Sequence, residues 1–218
     1  MKKPEIMFAS IIICLVMFIS ACNSDNKKTE TSTEPETEEI QYESIEIGEQ
    51  EWMLYNISTD TFNNGDIILE AKTEAEWIKA KNNQTAVWCY YENKSKNGDK
   101  YGKLYNWYAV TDDRGIAPKD WHIPTEKDIK KLLDYLGNDN EAFNTLIEDG
   151  DSGFEALYSG WRRGTGVFAD IDNFCAFWTS TENGEYGAWS LDIDKGNRNA
   201  VIGYSRKEFG ISVRCIKD

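Results

Sequence analysis

The composition of this chain breaks at Tyr42. Residues 23–41 are polar and acidic, and their one large apolar side chain is Ile40, whereas all eight tryptophans of the 218-residue sequence lie beyond the break. A stretch so poor in apolar groups cannot bury enough surface to offset the entropy of ordering it. It reads as a disordered tether, reaching on the order of 25 Å as a flexible chain of about 20 residues. The remainder, about 175 residues, suffices for one domain with a substantial core.

Ahead of the tether lies an apolar run, Ile6 to Ile19, preceded by Lys2 and Lys3. It is too short to span a bilayer comfortably and is flanked like a secretory signal. It ends Ile19-Ser20-Ala21-Cys22, which resembles a bacterial lipobox: small residues open the cut site, and the Cys22 thiol takes the lipid. The expected organisation is a lipoprotein signal peptide at 1–21, lipidated Cys22 and tether at 22–41, and one domain at 42–218. Removing 1–21 takes away Lys2, Lys3 and Glu5, a net +1, so the formal charge of −14 becomes −15. Such acidity argues against nucleic acid and against adhesion to anionic lipid. Membrane attachment falls to the acyl chains (palmitate), each buried methylene contributing about 0.8 kcal/mol.

Cys89, Cys175 and Cys215 remain in the domain. In an oxidising compartment they allow one disulfide and a free thiol, in three pairings, or no disulfide at all. His122 is the single histidine, which rules out a multi-histidine zinc site and leaves a serine–histidine triad only this one imidazole. No phosphate-binding glycine loop or paired CxxC occurs, and no cofactor is expected.

The element pattern is α+β. Ile45 to Leu54 reads as a hairpin turning at Gly48. Thr73-Glu74-Ala75-Glu76 is a capping box opening a short helix before Trp77. Thr125-Glu126-Lys127-Asp128 opens another, with Ile129, Leu132, Leu133 and Leu136 on one face and Gly137 as its stop. Asn140 to Ile147 reads as a further helix. Ala188–Ile193 and Asn199–Tyr204 flank the turn Asp194-Lys195-Gly196-Asn197. A last strand is expected over Gly210–Lys217, with Ile211, Val213 and Cys215 on one face.

Several segments in order resemble the Fibrobacter succinogenes major paralogous domain family: Ile47-Gly48-Glu49-Gln50-Glu51-Trp52-Met53, Tyr101-Gly102-Lys103-Leu104-Tyr105-Asn106-Trp107, Trp121-His122-Ile123-Pro124-Thr125, Gly153-Phe154, Gly160-Trp161-Arg162, Phe177-Trp178-Thr179-Ser180-Thr181 and Gly210 to Asp218. The resemblance covers roughly residues 45–218 and implies a surface or secreted protein of Bacteroidetes-like bacteria, often a lipoprotein. Trp121 to Glu126 and Val213 to Asp218 are also similar to segments of formylglycine-generating domains. That similarity implies a C-type lectin-like fold, a twisted antiparallel sheet with two or three flanking helices. Ala117-Pro118 stands where the family often has Cys-Pro, Cys175 lies outside the family pattern, and the paired catalytic cysteines of the formylglycine-generating enzymes have no counterpart. A non-enzymatic role follows, with no catalytic residues.

Most tryptophans here sit beside apolar neighbours and are read as core. Trp161, followed by Arg162 and Arg163 in a glycine-rich stretch, is the candidate ligand platform, because loops carry function and arginine forks onto polar ligands. The competing reading of these three residues is cation–π packing within the core. Asp192 to Asn197 resembles a calcium loop only loosely: it lacks the EF-hand spacing and is read as a solvated turn, so no metal is expected. His122 is read as structural.

The expected function is that of an envelope-anchored lipoprotein whose domain binds a glycan or an envelope or host protein. The alternatives are a structural envelope component packing against partner proteins, and a modification enzyme related to the formylglycine-generating domains. Asn23 after the lipid cysteine, in place of aspartate, permits the outer membrane. Ser24-Asp25 resembles short acidic surface-export signals, although Lys27-Lys28 dilutes it. Lipid anchoring at the outer membrane is therefore expected, with display on the cell surface as the further expectation. Mass spectrometry of the native N-terminal peptide is expected to find acylated Cys22; a different free N-terminus or an intact signal refutes it.

Overall fold

The computed structural model describes residues 41–218, which form one compact unit. The expected signal peptide, Cys22 and nearly all of the tether lie outside the described residues. No helix among the described residues is long and apolar enough to cross a membrane.

The unit is α+β. Strands β1 (Ser44–Ile47) and β2 (Gln50–Met53) form the opening hairpin, turned by Gly48 at φ 63°. β3 (Leu69–Glu70) precedes helix α1 (Glu74–Asn83), whose first turn is held by the reciprocal Thr73–Glu76 capping box. β4 (Val87–Cys89) pairs parallel with β3 and antiparallel with β5 (Leu104–Tyr105). Helix α2 (Ser95–Tyr101) lies between β4 and β5, and α3 (Trp107–Val110) follows, capped by Asn106. β6 (Trp121–His122) leads into α4 (Glu126–Leu136), with its Thr125–Asp128 capping box and its end at Gly137, φ 103°. α5 (Asp139–Leu146) follows, capped by Asn138.

The second half is mostly strand: β7 (Trp161–Arg162), β8 (Phe168–Ala169), β9 (Phe174–Glu182), β10 (Gly187–Asp194), β11 (Asn199–Arg206) and β12 (Ile216–Lys217). A single twisted antiparallel sheet was the expectation. The strands divide instead among four small sheets, ordered β1-β2-β12-β6, β11-β10-β9, β3-β4-β5 and β7-β8, and only β3–β4 is parallel. The described residues form five α-helices where two or three were expected.

Alternation along β9–β11 separates two cores. On one face Phe177, Leu191, Ile193 and Ala200 pack against Ile129 and Leu132 of α4 and Ala142, Phe143 and Leu146 of α5. On the other face Ala176, Trp178 and Ala188 join Met53, Tyr105, Ile211 and Val213. A third core gathers Trp77, Val87, Cys89, Tyr91 and Leu104 around α1 and β4.

Segment 210–217 departs most from expectation. Regular strand survives only at its end, and residues 210–216 are buried on both sides rather than one. Gly210 bridges Arg162, Ile211 bridges Tyr105, Ser212 bridges Phe177, and Ile216 pairs with both Trp52 and His122. The segment thus reaches all four sheets.

Cys89, Cys175 and Cys215 are all free and buried, in three separate cores. The alternative without a disulfide holds. Burial pushes the Cys89 and Cys215 thiols up to about 12 and Cys175 higher still, which leaves them neutral and unreactive. Thiol titration of the native protein is expected to leave these three unlabelled until denaturant is added, with the same melting temperature with and without reductant. A reductant-dependent melt would contradict the assignment.

Candidate functional site

The β7–β8 hairpin sorts the three candidate residues. Successive side chains of a strand point to opposite faces. Trp161 turns outward and Arg162 inward, while Arg163 begins the exposed turn, where Arg163 N–H donates to Val167 O at 2.8 Å.

Trp161 lines a cleft of about 390 Å³ together with Phe174, Phe209, Tyr204, Ser205 and Asp192, with Asp170 and Asp194 at its rim. The ring is half-buried and fixed from several sides. Its Nε1–H donates to Asp170 Oδ2 at 2.6 Å, and the Phe209 ring lies 4.8 Å away at 55°. The Arg163 guanidinium sits 5.1 Å from the Trp161 centroid. Trp161 is therefore a braced wall rather than a free platform, and Arg163 is its solvent-exposed cover.

Arg162 lies in the interior, with no exposed surface. Its Nε donates to Gly166 O at 3.0 Å and Nη1 to Ala71 O at 2.7 Å, while Nη2 has no partner. The guanidinium is 4.6 Å from the centroids of both Trp77 and Phe168. It is placed to hold the fold, not to meet a ligand.

Asp192 forms the polar floor of the cleft. It lies between Leu191 and Ile193 on β10, so its side chain points away from the helices. Ser190 Oγ donates to Asp192 Oδ1 at 2.7 Å, and the Ser190 and Ser205 hydroxyls are 3.3 Å apart. Burial raises the Asp192 carboxyl to about 6, the Ser190 hydrogen bond opposing the shift. Asp194 is engaged by its own turn, accepting from Asn197 N at 3.0 Å and from Asn197 Nδ2 at 2.8 Å. This is the calcium-like stretch, and among the described residues no group of three or more His, Cys, Asp or Glu is gathered to hold a metal.

His122 lies in a separate polar cleft, its Nδ1 2.7 Å from Asp218 Oδ1 and its Nε2 3.5 Å from Asp128 Oδ2. Burial pulls the Asp128 carboxyl upward, but hydrogen bonds from Thr125 and the nearby His122 together leave it lowered. The imidazole thus ties β6 to α4 and to the end of the chain. Trp52, Trp77, Trp88 and Trp178 are buried. Sequence reasoning took Asp192 as part of a solvated turn, whereas the residue lies within β10 and lines the cleft; Phe209 and Tyr204 were passed over. The available signal was Asp192 alternating with Leu191 and Ile193, which puts a carboxylate on the inner side of a sheet whose other face is core.

Asp192 carries a pH signature. Between about 4 and 6 the unfolded chain gives up this proton while the folded chain keeps it, so stability falls as pH rises through that window. Above about 6 the folded state bears the full cost of the buried charge. Asp192→Asn, which keeps the shape without the charge, is expected to stabilise the protein by about 1–3 kcal/mol at pH 7. Near pH 4 the gain is expected to vanish. Thermal melts at both pH values check this; an equal gain at pH 4 would assign the effect to something other than ionisation.

The model of the family described as Fibrobacter succinogenes major domain matches residues 45–217. No curated protein and no solved structure matches the chain. The matched stretch begins in the opening hairpin and ends at β12, so it takes in every sheet and the Trp161 cleft. By this match the chain belongs to the Fibrobacter succinogenes major domain family.

Proposed function

We propose that the protein is an envelope-anchored lipoprotein whose domain binds a saccharide at the Trp161 cleft without catalysing a reaction. The observation that carries this reading is the cleft itself: a braced indole wall, further aromatic rings at Phe174, Tyr204 and Phe209, and a carboxylate and hydroxyl in its floor. Aromatic faces pack against the apolar C–H surface of a sugar, and a small number of placed polar groups fix its hydroxyls. A wall braced before the ligand arrives reduces the ordering cost of binding. A C-type lectin-like ancestry suits this role, with α4 and α5 packed on one face of β9–β11 and the cleft at one end of the other.

A second reading, packing against a partner protein, is favoured by a different observation. Ile67 and Leu69 are 73% and 59% exposed, and Leu69 lies on β3, an edge strand. Open edges with apolar side chains invite pairing with another chain. Anchoring at Cys22 and residence at the outer membrane, on its outer surface, remain part of the proposal.

A glycan array probed with the full chain in mild detergent is expected to give a saccharide hit. Trp161→Ala is expected to weaken that hit at least tenfold, about 1.4 kcal/mol, and Trp161→Phe less so. No hit on any sugar, together with a stably co-purifying envelope protein, would favour the second reading.

A further inference from the structure

We infer that the cleft takes a saccharide bearing a protonated amine, with Asp192 as the counter-ion. This rests on the cleft being the sugar site. Asp192 is partly buried and accepts one hydrogen bond, from Ser190. Among the described residues no lysine or arginine forms an ion pair with it. The titratable groups around it are acidic or neutral: Asp194 on its own strand, Tyr204 on β11, Asp170 beside Trp161, and the Cys175 thiol on β9. Two basic residues beside the cleft are engaged elsewhere. Arg163 lies over the Trp161 ring, and Lys195 Nζ donates to Asp172 O at 3.3 Å.

A carboxylate withdrawn from water is costly unless a cation accompanies it. The other two carboxylates of the cleft have work in the fold, Asp170 on the Trp161 indole and Asp194 on Asn197. Asp192 accepts only from the Ser190 hydroxyl two residues away on its own strand. Raised by burial to about 6, it is still largely ionised at neutral pH. Room for it is also built in. A Cβ on Gly203 would lie 1.9 Å from Asp192 Oδ2, and the φ of Gly203 is not in the left-handed region, so glycine is needed there for space rather than for backbone conformation.

The ligand class follows from charge. Uronic and sulfated sugars would meet three carboxylates and no basic residue among those lining the cleft. A neutral sugar would use the aromatic wall and leave Asp192 unpaired. A 2-amino-2-deoxy sugar places an ammonium beside the ring hydroxyls, within reach of both the wall and the floor.

The test is calorimetric titration of the full chain in detergent at pH 6.5 with four probes: pentamers of glucosamine, N-acetylglucosamine and galacturonate, and trilysine. The glucosamine pentamer is expected to bind at least tenfold tighter than its acetylated counterpart, and galacturonate and trilysine not measurably. Asp192→Asn is expected to bring glucosamine down to the acetylated level while melting no lower than the wild type. Should that variant lose its fold, the wild-type ranking of the four probes decides alone. Equal binding of the two hexosamine pentamers would overturn the amine assignment and leave the saccharide reading standing. Trilysine binding as tightly as glucosamine would overturn it in favour of a peptide amine. Absence of binding by every sugar would overturn both.

Discussion

The fold depends on one buried stretch of backbone. Interior N–H and C=O groups must find partners, and segment 210–216 finds them in every sheet. Gly210 exchanges two hydrogen bonds with Arg162, both at 2.8 Å, and Ile211 exchanges two with Tyr105, at 2.9 and 3.1 Å. Ser212 accepts from Trp178 N at 3.0 Å and donates to Ala176 O at 3.1 Å. Val213 O accepts from Ile57 N, and Cys215 O from Met53 N. A two-stranded hairpin is marginal alone, and a small sheet stands only with a packed apolar face. Here each one borrows a neighbour from the same segment.

Two arginines carry charge into this interior without a carboxylate. Arg214 donates from Nε and Nη2 to Asn56 Oδ1, at 3.1 and 2.9 Å, and from Nη1 to Phe154 O, with its guanidinium 4.2 Å from the Phe154 centroid. Burial pulls it down to about 10, which leaves it charged at neutral pH. Arg162 does the same work between Trp77 and Phe168, tying the carbonyls of Ala71 and Gly166 together. A planar, multiply donating cation suits such a place and a lysine does not. Arg162 also bears on the cleft. By anchoring the inner face of β7 it sets the outward direction of Trp161, so the residue expected to touch a ligand acts one step behind the one that lines the site.

Local signals in the sequence were read well because they are local. The capping boxes at Thr73 and Thr125, the stop at Gly137, and the turns at Gly48 and Asp194–Asn197 all stand where side-chain chemistry put them. The face of α4 holds too, with Ile129 and Leu132 fully buried. What escaped was set by distant partners. Helix α2, Ser95–Tyr101, has no side-chain cap at its start and is a polar stretch with one buried residue, Tyr101. The last segment alternates in the sequence as a one-faced strand would, yet Arg214 is buried among rings that lie far away along the chain. Within the cleft, Trp161 was legible as an aromatic in a glycine-rich loop. Asp192 was legible only as a polar position alternating with Leu191 and Ile193, because Phe209 and Trp161, which share its cleft, come from a separate loop and hairpin.

The threading of segment 210–217 has a kinetic consequence. Ile216 pairs with Trp52, near the opposite end of the described residues, and Ile211 with Tyr105, so the contacts that unite the sheets are among the most distant in sequence. Closing such loops takes entropy before any contact rewards it, and domains built this way fold slowly. Until the segment docks, the hairpins have no common neighbour and little reason to persist alone. Withdrawing the segment would strip Ile211, Val213 and Cys215 from one core and Ile216 from another, so docking it completes both.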